Sequence, residues 1–342
     1  MKPEHILVIR LSAMGDVAMT IPVLQQVLRQ NPSLRITVLT QPAFFPLFDS
    51  LERVTLHAAL LKSRHKGIIG LFSLYRNLKK EYHFDAVADL HDVLRSKLLR
   101  WWLGMAGLKT AVIDKGREEK KQLTAKKNKR LVPLKTSFQR YADVFNALGL
   151  NCTLSETLIP LKKRSWPGIA LSPPSSHDKN ICIAPFAKHR EKTYPSEKMK
   201  AVIGALSKEK HCRVFLLGGR DEAAVLQAWE KEFPGVVSIA GKFSFFDELS
   251  ILSNMDLVIS MDSANMHLAS LFGVPVVSIW GATHPFAGFY GWNQDAANAV
   301  QIDLYCRPCS VFGNKPCYRG DHACMKNLGE ERIVARTLEI LS

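Results

Sequence analysis

The stretch "DLVISMDSANMHLASLFGVPVVSIWGATHP" (residues 256–285) contains a strand pattern, a helix pattern and a second strand pattern in succession. An apolar run ends near Met261, a segment of helical period follows at Ser263–Phe272, and a second apolar run begins at Val274. Two apolar strands joined through one helix are typical of a parallel sheet, because a parallel connection must cross over one face of the sheet. The stretch therefore predicts an α/β fold.

The same alternation extends through most of the chain and predicts two parallel sheets built from right-handed βαβ units. Predicted strands are His5–Leu11, Arg35–Thr40, Phe84–Leu90, Lys109–Lys115, Ile181–Phe186, Cys212–Leu217, Val236–Ala240, Leu257–Ser260 and Val274–Trp280. Predicted helices are Val17–Arg29, Leu94–Met105, Ser137–Gly149, Ser196–Lys210, Asp221–Phe233, Phe245–Met255 and Ser263–Phe272. Because Pro22 lies inside the first helix, that helix either kinks or begins near Thr20.

Length and a change of composition predict two domains. A chain of 342 residues exceeds the size at which one hydrophobic core usually stops growing. The stretch 161–180 is rich in Pro, Ser and charge and shows no sustained period, which is typical of a linker. We expect Rossmann-like domains over 1–160 and 181–327 with a cleft between the carboxyl ends of their sheets, and a helix in 328–342 that can pack back on the first domain.

The charge balance favours an anionic partner. Lys plus Arg is 46 against 31 acidic residues, a net charge of +15, which suits nucleic acid, phosphorylated substrates or an anionic membrane surface. The sequence has neither interleaved aromatic residues nor a motif for binding nucleic acid, so that partner is disfavoured. The amino terminus lacks a secretory pattern and no apolar run approaches the length of a membrane span, so we expect a cytoplasmic protein, or one peripheral on a membrane.

Several standard motifs are missing. The sequence contains no G-x-G-x-x-G, no Walker A loop, no H-E-x-x-H and no G-x-S-x-G. It also contains no D-x-D pair, which is the usual metal-binding device for nucleotide sugars. A dinucleotide-dependent oxidoreductase, a P-loop ATPase, a zincin and an α/β-hydrolase are therefore disfavoured.

Polar residues at strand ends of the second half indicate a nucleotide-type ligand. Asp262, Ser263 and His267 lie where a strand passes into a helix, and helix N-termini bind anions. An ordinary capped helix explains these three residues equally well. Lys192 follows an earlier strand within a basic loop, and Glu222 follows "LLGG", where it is placed to accept hydrogen bonds from a ribose. Each signal is weak singly, but three such strand ends favour a nucleotide.

Asp16 is the corresponding feature of the first half. It follows Gly15 where the first strand ends, and its carboxylate is either a helix cap or a general base at the edge of the cleft. Basic residues of the same half that are suited to hold an anionic acceptor are Arg64, Lys66, Arg95, Lys115, Arg117 and Arg140. Most of the run "KGREEKKQLTAKKNKR" (residues 115–130) is predicted to be a solvated, mobile loop, because dense charge usually stays exposed.

Four cysteines cluster near the carboxyl terminus, in "CRPCSVFGNKPCYRGDHAC" (residues 306–324). Cys306 and Cys309 have the spacing of a zinc-binding pair, but Cys317 and Cys324 are separated by six residues rather than by two to four. A compact, reduced, cysteine-rich loop is therefore favoured over a zinc site.

Motifs along the chain together resemble those of glycosyltransferase family 9, which contains the ADP-heptose:lipopolysaccharide heptosyltransferases. The matching stretches are "ILVIRLSAMGDVAMTIPVL", "DLHDVLRS", "KTYPSE", "GKFSFFDELSILSNMDLVISMDSANMHLASLFGVPVVSIWGATHP" and "CRPC" with its later "CM". The resemblance covers nearly the whole chain in the right order. It implies the GT-B fold, in which 1–160 binds the acceptor and 181–327 binds the nucleotide sugar, and an inverting transfer that needs neither a catalytic metal nor a cofactor.

The resemblance also assigns roles to residues. It implies that Asp16 is the catalytic base and that Lys192 contacts the donor diphosphate. It implies that Asp262, Ser263 and His267 belong to the donor segment, and that Glu222 and Phe243 hold the ribose and the adenine. Ala264 stands where the family usually has glycine, and its methyl group bears on how closely a phosphate approaches.

The implied function is the transfer of a heptose or related sugar from an ADP-sugar to the lipopolysaccharide inner core, at the inner membrane. Two alternatives remain. One is a paralogue that binds a nucleotide sugar without transferring it, because a capping carboxylate at Asp16 would look the same in sequence. The other is a family member that uses a different donor sugar.

Overall fold

The structure is a computed structural model that describes residues 2–155, 159–168 and 178–342. The chain divides into two compact units. The first unit comprises Met1–Lys115 and Lys135–Ile159, and the second comprises Gly116–Leu134 and Pro160–Ser342. Each unit is built around one parallel sheet.

The strands of the described residues are β1 (His5–Ile9), β2 (Arg35–Thr40), β3 (Val54–Ala58), β4 (Ala86–Asp89), β5 (Lys109–Val112), β6 (Lys179–Ala184), β7 (Cys212–Leu216), β8 (Val236–Ser238), β9 (Leu257–Met261), β10 (Val276–Ile279) and β11 (Ala299–Val300). The helices are α1 (Met14–Ala18), α2 (Thr20–Gln30), α3 (Gly67–Glu81), α4 (Leu94–Met105), α5 (Arg117–Leu123), α6 (Ser137–Ala147), α7 (Ser196–Leu206), α8 (Ala223–Glu232), α9 (Phe245–Leu252), α10 (Ala264–Leu271), α11 (Ala323–Lys326) and α12 (Glu330–Leu341). Among the described residues, no helix combines the length and the apolar character that crossing a membrane requires.

The sheet of the first unit has the strand order β3-β2-β1-β4-β5, with all neighbours parallel. The central strand β1 is apolar after His5, and its residues Ile6–Ile9 are fully buried, because helices cover both faces of such a sheet. The sheet of the second unit has the order β11-β10-β9-β6-β7-β8 and is also parallel throughout. The predicted α/β class with two parallel sheets is confirmed.

In the second sheet, β6 lies between β9 and β7. Because these strands are parallel, the carboxyl ends of β9, β6 and β7 lie next to one another at the same edge of the sheet. Lys192 follows β6, Glu222 follows β7 and Asp262 follows β9. The sheet order brings together the three strand ends that the sequence singled out.

Elements of the described residues that were not predicted include the edge strand β3, the short strand β11 and the helices α3, α5 and α11. β3 is only half-buried, so its sequence lacks a strong apolar signal. The first half of α3 carries apolar residues on both its buried and its exposed side, such as Leu71 and Ile69, which weakens the helical period there. The first predicted helix, Val17–Arg29, is divided into two helices in the structure. α1 ends at Ala18, and α2 begins at Thr20 with Pro22 in its first turn.

The basic run 115–130 is not the mobile loop that was predicted. Its residues 117–123 form α5, in which Lys120 and Leu123 are buried. The ammonium group of Lys120 lies 4.5 Å from the ring centroid of Phe289. At this distance the cation and the face of the aromatic ring attract each other, which stabilises the buried lysine. The segment Gly116–Leu134 belongs to the second unit, so the predicted first domain over 1–160 is interrupted.

The predicted linker over 161–180 is shorter than expected. Leu161 N–H donates to the Leu271 carbonyl and Arg164 N–H donates to Ser253 Oγ, so residues 161–164 pack on the second unit. Residues 179 and 180 already belong to β6. Residues 169–177 lie outside the described residues.

The predicted C-terminal helix is present as α12, which packs within the second unit on α7, β9 and β10. Tyr194 Oη donates to the Leu328 carbonyl, and Lys198 on α7 forms an ion pair with Glu330 at 3.1 Å. Ile333 is fully buried in the hydrophobic core of the second unit, because the apolar face of the amphipathic helix α12 packs against that core.

Candidate functional site

Asp16 lies in the first turn of α1, a few residues after β1 ends. Its Oδ2 atom accepts a hydrogen bond from Ala13 N–H at 3.3 Å and forms an ion pair with Arg10 Nη2 at 2.6 Å. The side chain is nevertheless 36% exposed. Asp16 therefore caps the start of α1 and also presents its carboxylate to solvent, so capping and general-base chemistry are compatible in this geometry.

Arg10 is a site residue that the sequence reasoning missed. It is buried, and its Nη1 donates to the Leu90 carbonyl at 2.6 Å while Nη2 binds Asp16. The two bonds fix the guanidinium beside the carboxylate and so restrict the orientation of Asp16. The available signal was a single arginine that interrupts the apolar run "ILVIRLSA", because a charge is rarely buried without a partner.

The segment "DLHD" (residues 89–92) contacts the chain next to the Arg10–Asp16 ion pair. Leu11 N–H donates to His91 Nδ1 at 3.4 Å. Burial, with a smaller contribution from Arg10, lowers the pKa of His91 to about 3, so the ring is neutral at neutral pH. Asp89 accepts hydrogen bonds from the N–H groups of His91 and Asp92 at 2.9 Å each, which orders the loop after β4.

The predicted acceptor residues fall into different environments. Arg64 and Lys66 are exposed just before α3. Arg95 at the start of α4 is exposed, and Lys115 donates to the Asp92 carbonyl at 3.0 Å. The charges of Arg95 and Lys115 both help to lower the pKa of His91, which places them near the Asp16 turn.

The other two predicted acceptor residues differ from expectation. Arg140 is buried and forms an ion pair with Asp114 at 3.3 Å, while its Nε donates to the Lys135 carbonyl. Its guanidinium therefore stabilises the chain around β5 and α6. Arg117 lies at the start of α5 and belongs to the second unit, so it is not part of the same half as the others.

An ion pair forms at the ligand edge of the second sheet. Lys192 Nζ lies 3.1 Å from Asp262 Oδ2, and the two side chains are 14% and 7% exposed. Asp262 lies two residues before α10, whose first N–H groups and dipole favour a negative charge nearby. A lysine and a helix N-terminus thus meet at one point, where both can stabilise an anion.

The start of α10 has the N-cap residue that the sequence indicates. Ser263 occupies the N-cap position of α10, but its hydroxyl pairs with the Ser260 hydroxyl at 3.0 Å, and it makes no capping hydrogen bond within the described part of the chain. Ala264 is the first residue of α10. His267 lies one turn further along this helix and is buried. Ser263 is therefore at the predicted N-cap position, but its hydroxyl is used for the contact with Ser260.

Glu222 and Phe243 lie on the β7 and β8 side of the same edge. Glu222 Oε2 accepts a hydrogen bond from Gly219 N–H at 2.7 Å. A Cβ atom on Gly218 would lie 2.8 Å from that oxygen, so glycine at this position makes room for the carboxylate. Phe243 is half-buried just before α9.

The cysteine-rich loop packs close to this edge. Gly313 has φ +71°, and a Cβ atom there would overlap Cγ of Lys192. Glu191, next to Lys192, has its Oε2 atom 2.9 Å from Nδ1 of His322 in the loop. The loop therefore contacts the aliphatic part of the Lys192 side chain, a contact that the sequence did not reveal.

The cysteines themselves are free thiols. Burial raises the pKa of Cys324 to about 11, so this thiol stays protonated at neutral pH. In the part of the chain that the structure describes, no group of three or more His, Cys, Asp or Glu side chains is arranged to hold a metal ion. The loop is anchored instead by Arg307, which donates to the carbonyls of Gly281 and Thr283, and by Lys129, which donates to the carbonyl of Cys306.

Comparison with known proteins gives a family match. The family model described as glycosyltransferase family 9 (heptosyltransferase) matches residues 71–316. Lipopolysaccharide heptosyltransferase 3 of Escherichia coli is 24% identical over 303 residues, which cover 84% of this chain and 85% of that protein. Lipopolysaccharide core heptosyltransferase OpsX of Haemophilus influenzae is 24% identical over 299 residues, covering 83% and 80%.

Solved structures agree on the fold. A family 9 glycosyl transferase from Veillonella parvula superimposes with a TM-score of 0.75 at 20% identity, covering 98% of this chain and 97% of that one. Escherichia coli heptosyltransferase WaaC with ADP-2-deoxy-2-fluoro heptose gives 0.69 at 18% identity, covering 99% and 100%. The likeness confirms the predicted GT-B class. Since the family model also spans more than half of the sequence, the chain belongs to glycosyltransferase family 9, the heptosyltransferases, and is a glycosyltransferase.

Proposed function

We propose that this glycosyltransferase moves a heptose from an ADP-sugar to the lipopolysaccharide inner core, with inversion at the anomeric carbon. The observation that carries the proposal is the Lys192–Asp262 pair at the N-terminus of α10. Relatives named for lipopolysaccharide heptosyl transfer, and a related fold solved with an ADP-heptose analogue, support the choice of substrates.

The donor is proposed to bind along the edge formed by β9, β6, β7 and β8. Lys192 and the N–H groups at the start of α10 neutralise the diphosphate, and Glu222 accepts hydrogen bonds from the ribose. Phe243 contacts the adenine. Lys192 and the helix supply positive charge to the leaving group, so we propose that catalysis does not require a metal ion.

Asp16 is proposed as the general base. Its carboxylate takes the proton of an acceptor hydroxyl while that oxygen forms a bond to the anomeric carbon. The bond between this carbon and the diphosphate oxygen breaks in the same step, and the electron pair leaves with ADP. Arg10 positions the carboxylate and the basic residues near the Asp16 turn attract the anionic core sugar. Because the acceptor is a lipid, we propose that the protein works in contact with the cytoplasmic face of the inner membrane.

The donor assignment predicts a ligand preference. ADP-heptose is expected to raise the melting temperature well above the effect of UDP- or GDP-sugars, because stabilisation grows with affinity for the folded state. Thermal unfolding with each nucleotide sugar measures the order, and product formation with a core-lipid acceptor follows. Binding without turnover would favour a binding-only paralogue, and a higher rank for another sugar nucleotide would overturn the donor assignment.

The loop contact at Lys192 predicts a defect in Gly313→Ala. Its methyl group displaces Lys192, so we expect the affinity for ADP to fall by roughly tenfold, the value of one weakened charge-assisted hydrogen bond. Gly320→Ala is the matched control, because Gly320 has φ +77° in the same loop and a Cβ atom there meets nothing within 4 Å. Equal losses in both variants, measured by calorimetry, would attribute the defect to backbone strain alone.

A further inference from the structure

An apolar surface on α3 and α4 has no role in the chemistry described above. We name it the α3–α4 face, and its members are Ile68 (67% exposed), Ile69 (88%), Phe72 (45%), Leu94 (75%), Trp101 (60%) and Met105 (70%). A single exposed apolar residue is ordinary, but several large ones on two adjacent helices mark an interaction surface.

The exposure follows from the way the two helices pack. Leu71, Leu74 and Leu78 of α3, with Leu99 and Leu103 of α4, are buried against the first sheet. This uses one side of each helix for the core and leaves the apolar residues of the α3–α4 face on the outside.

Aromatic rings join the two helices. The Phe72 and Trp102 rings lie 5.4 Å apart edge to face, and Tyr75 lies 5.9 Å from Trp102. The two helices therefore pack against each other through aromatic side chains, and Phe72 of the α3–α4 face takes part in this contact. Tryptophan and tyrosine are also the residues enriched where proteins meet the interface of a bilayer.

The charges of α3 and α4 are positive except for Glu81 at the end of α3, and Lys97 and Arg100 pair with Asp92 in the preceding loop. The chain has no Asp or Glu in residues 53–80 or 93–113, the stretches that contain almost all of α3 and the whole of α4. The basic residues of these stretches are Arg53, Lys62, Arg64, Lys66, Arg76, Lys79, Lys80, Arg95, Lys97, Arg100 and Lys109. An apolar centre with basic surroundings matches a bilayer whose headgroups are anionic.

We infer that the α3–α4 face docks this protein onto an anionic phospholipid bilayer, with Ile69 and Trp101 entering the headgroup region and the lysines and arginines contacting lipid phosphates. The inference specifies which face makes the membrane contact that the proposed function includes. It rests on that proposed function for the choice of a bilayer as the partner. A second copy of the chain is a poorer occupant, because a symmetric dimer through this face would oppose one basic surface to another.

Vesicle sedimentation tests the inference without donor or acceptor. The protein is mixed with vesicles of phosphatidylcholine alone or of phosphatidylcholine with phosphatidylglycerol. We expect binding to the anionic vesicles that weakens as salt is raised. Ile69→Ser with Trp101→Ser should lower the partition coefficient by roughly tenfold or more, because two large apolar side chains leave the membrane.

Charge is tested separately by Arg76→Gln, Lys79→Gln and Lys80→Gln together, which lie outside the proposed acceptor set. We expect a loss of roughly 30- to 100-fold on anionic vesicles and little change on neutral ones. The matched controls are Val225→Ser with Tyr305→Ser, and Lys208→Gln with Lys210→Gln and Lys231→Gln, which alter exposed residues of the second unit. Far-ultraviolet circular dichroism checks that each variant is folded.

The outcomes separate this inference from the proposed function. Absent vesicle binding, or equal losses in the control variants, overturns the docking inference whatever the enzyme transfers. A dimer in analytical ultracentrifugation that the Ile69 and Trp101 substitutions dissociate assigns the face to a second copy and also overturns it. Normal docking without turnover of any sugar nucleotide would contradict the proposed function alone.

Discussion

Asp16→Asn is expected to lower kcat by roughly 10²–10⁴, the usual contribution of a general base, while the affinity for the donor changes little. The amide keeps the shape of the side chain and still offers an oxygen to Ala13 N–H, so the cap on α1 survives. What is lost is the ability to accept a proton from the acceptor hydroxyl. Steady-state kinetics with a core-lipid acceptor measures kcat, and calorimetry with ADP measures donor binding.

The control for this substitution is Asp143→Asn on α6. Asp143 is also partly exposed and paired with a cation, Lys135 at 2.9 Å, in the same unit. We expect its kcat to stay near that of the unmodified protein. If Asp16→Asn turns over at a near-normal rate, Asp16 is a helix cap and ion-pair partner of Arg10, and the base must be sought elsewhere.

Lys192→Met is expected to have the second large effect. Removing the ammonium group that faces the diphosphate should lower kcat/KM by roughly 10²–10³, the typical cost of losing one donor that stabilises developing charge. It also leaves Asp262 buried without that cation, so we expect the free energy of unfolding to fall by about 3 kcal/mol. Kinetics and denaturant unfolding measure the two effects separately.

Two further variants separate the structural part from the catalytic part. Adding Asp262→Asn to Lys192→Met removes the uncompensated charge, so stability should recover while kcat/KM stays low. Lys188→Met changes an exposed lysine of the same basic loop and should affect neither quantity. If activity recovers together with stability in the double variant, Lys192 acts only as the ion-pair partner of Asp262 and does not contact the donor.

The fold class was predictable because the signals that carry it are local. The bounds predicted for β2 and α4 are confirmed, since apolar spacing along a short segment reports directly which side is buried. The helix α3 was not predicted because of its exposed apolar residues, which also belong to the α3–α4 face. In its first half, apolar residues lie on both the core side and the solvent side, so the contrast that reveals a helix is weak there.

Residues of the candidate site were predictable one at a time, but their contacts were not. Asp16, Lys192 and Asp262 could each be named, because polar residues at the carboxyl ends of parallel strands are candidates for binding a ligand. The Lys192–Asp262 pair depends on β6 lying beside β9, which is decided by strand order. Arg10, which binds Asp16, looked like an interruption of a strand until the loop after β4 was placed next to it.

The amino-acid sequence by itself determined the alternation of strands and helices, the strand ends that carry polar residues and the positive charge, because each depends on residues close together in the chain. Only the tertiary structure decided that Gly116–Leu134 belongs to the second unit, that the cysteine-rich loop supports Lys192, and that two apolar helices leave one face exposed. These depend on burial and on contacts between distant segments, whose free energy is set by how the whole chain packs.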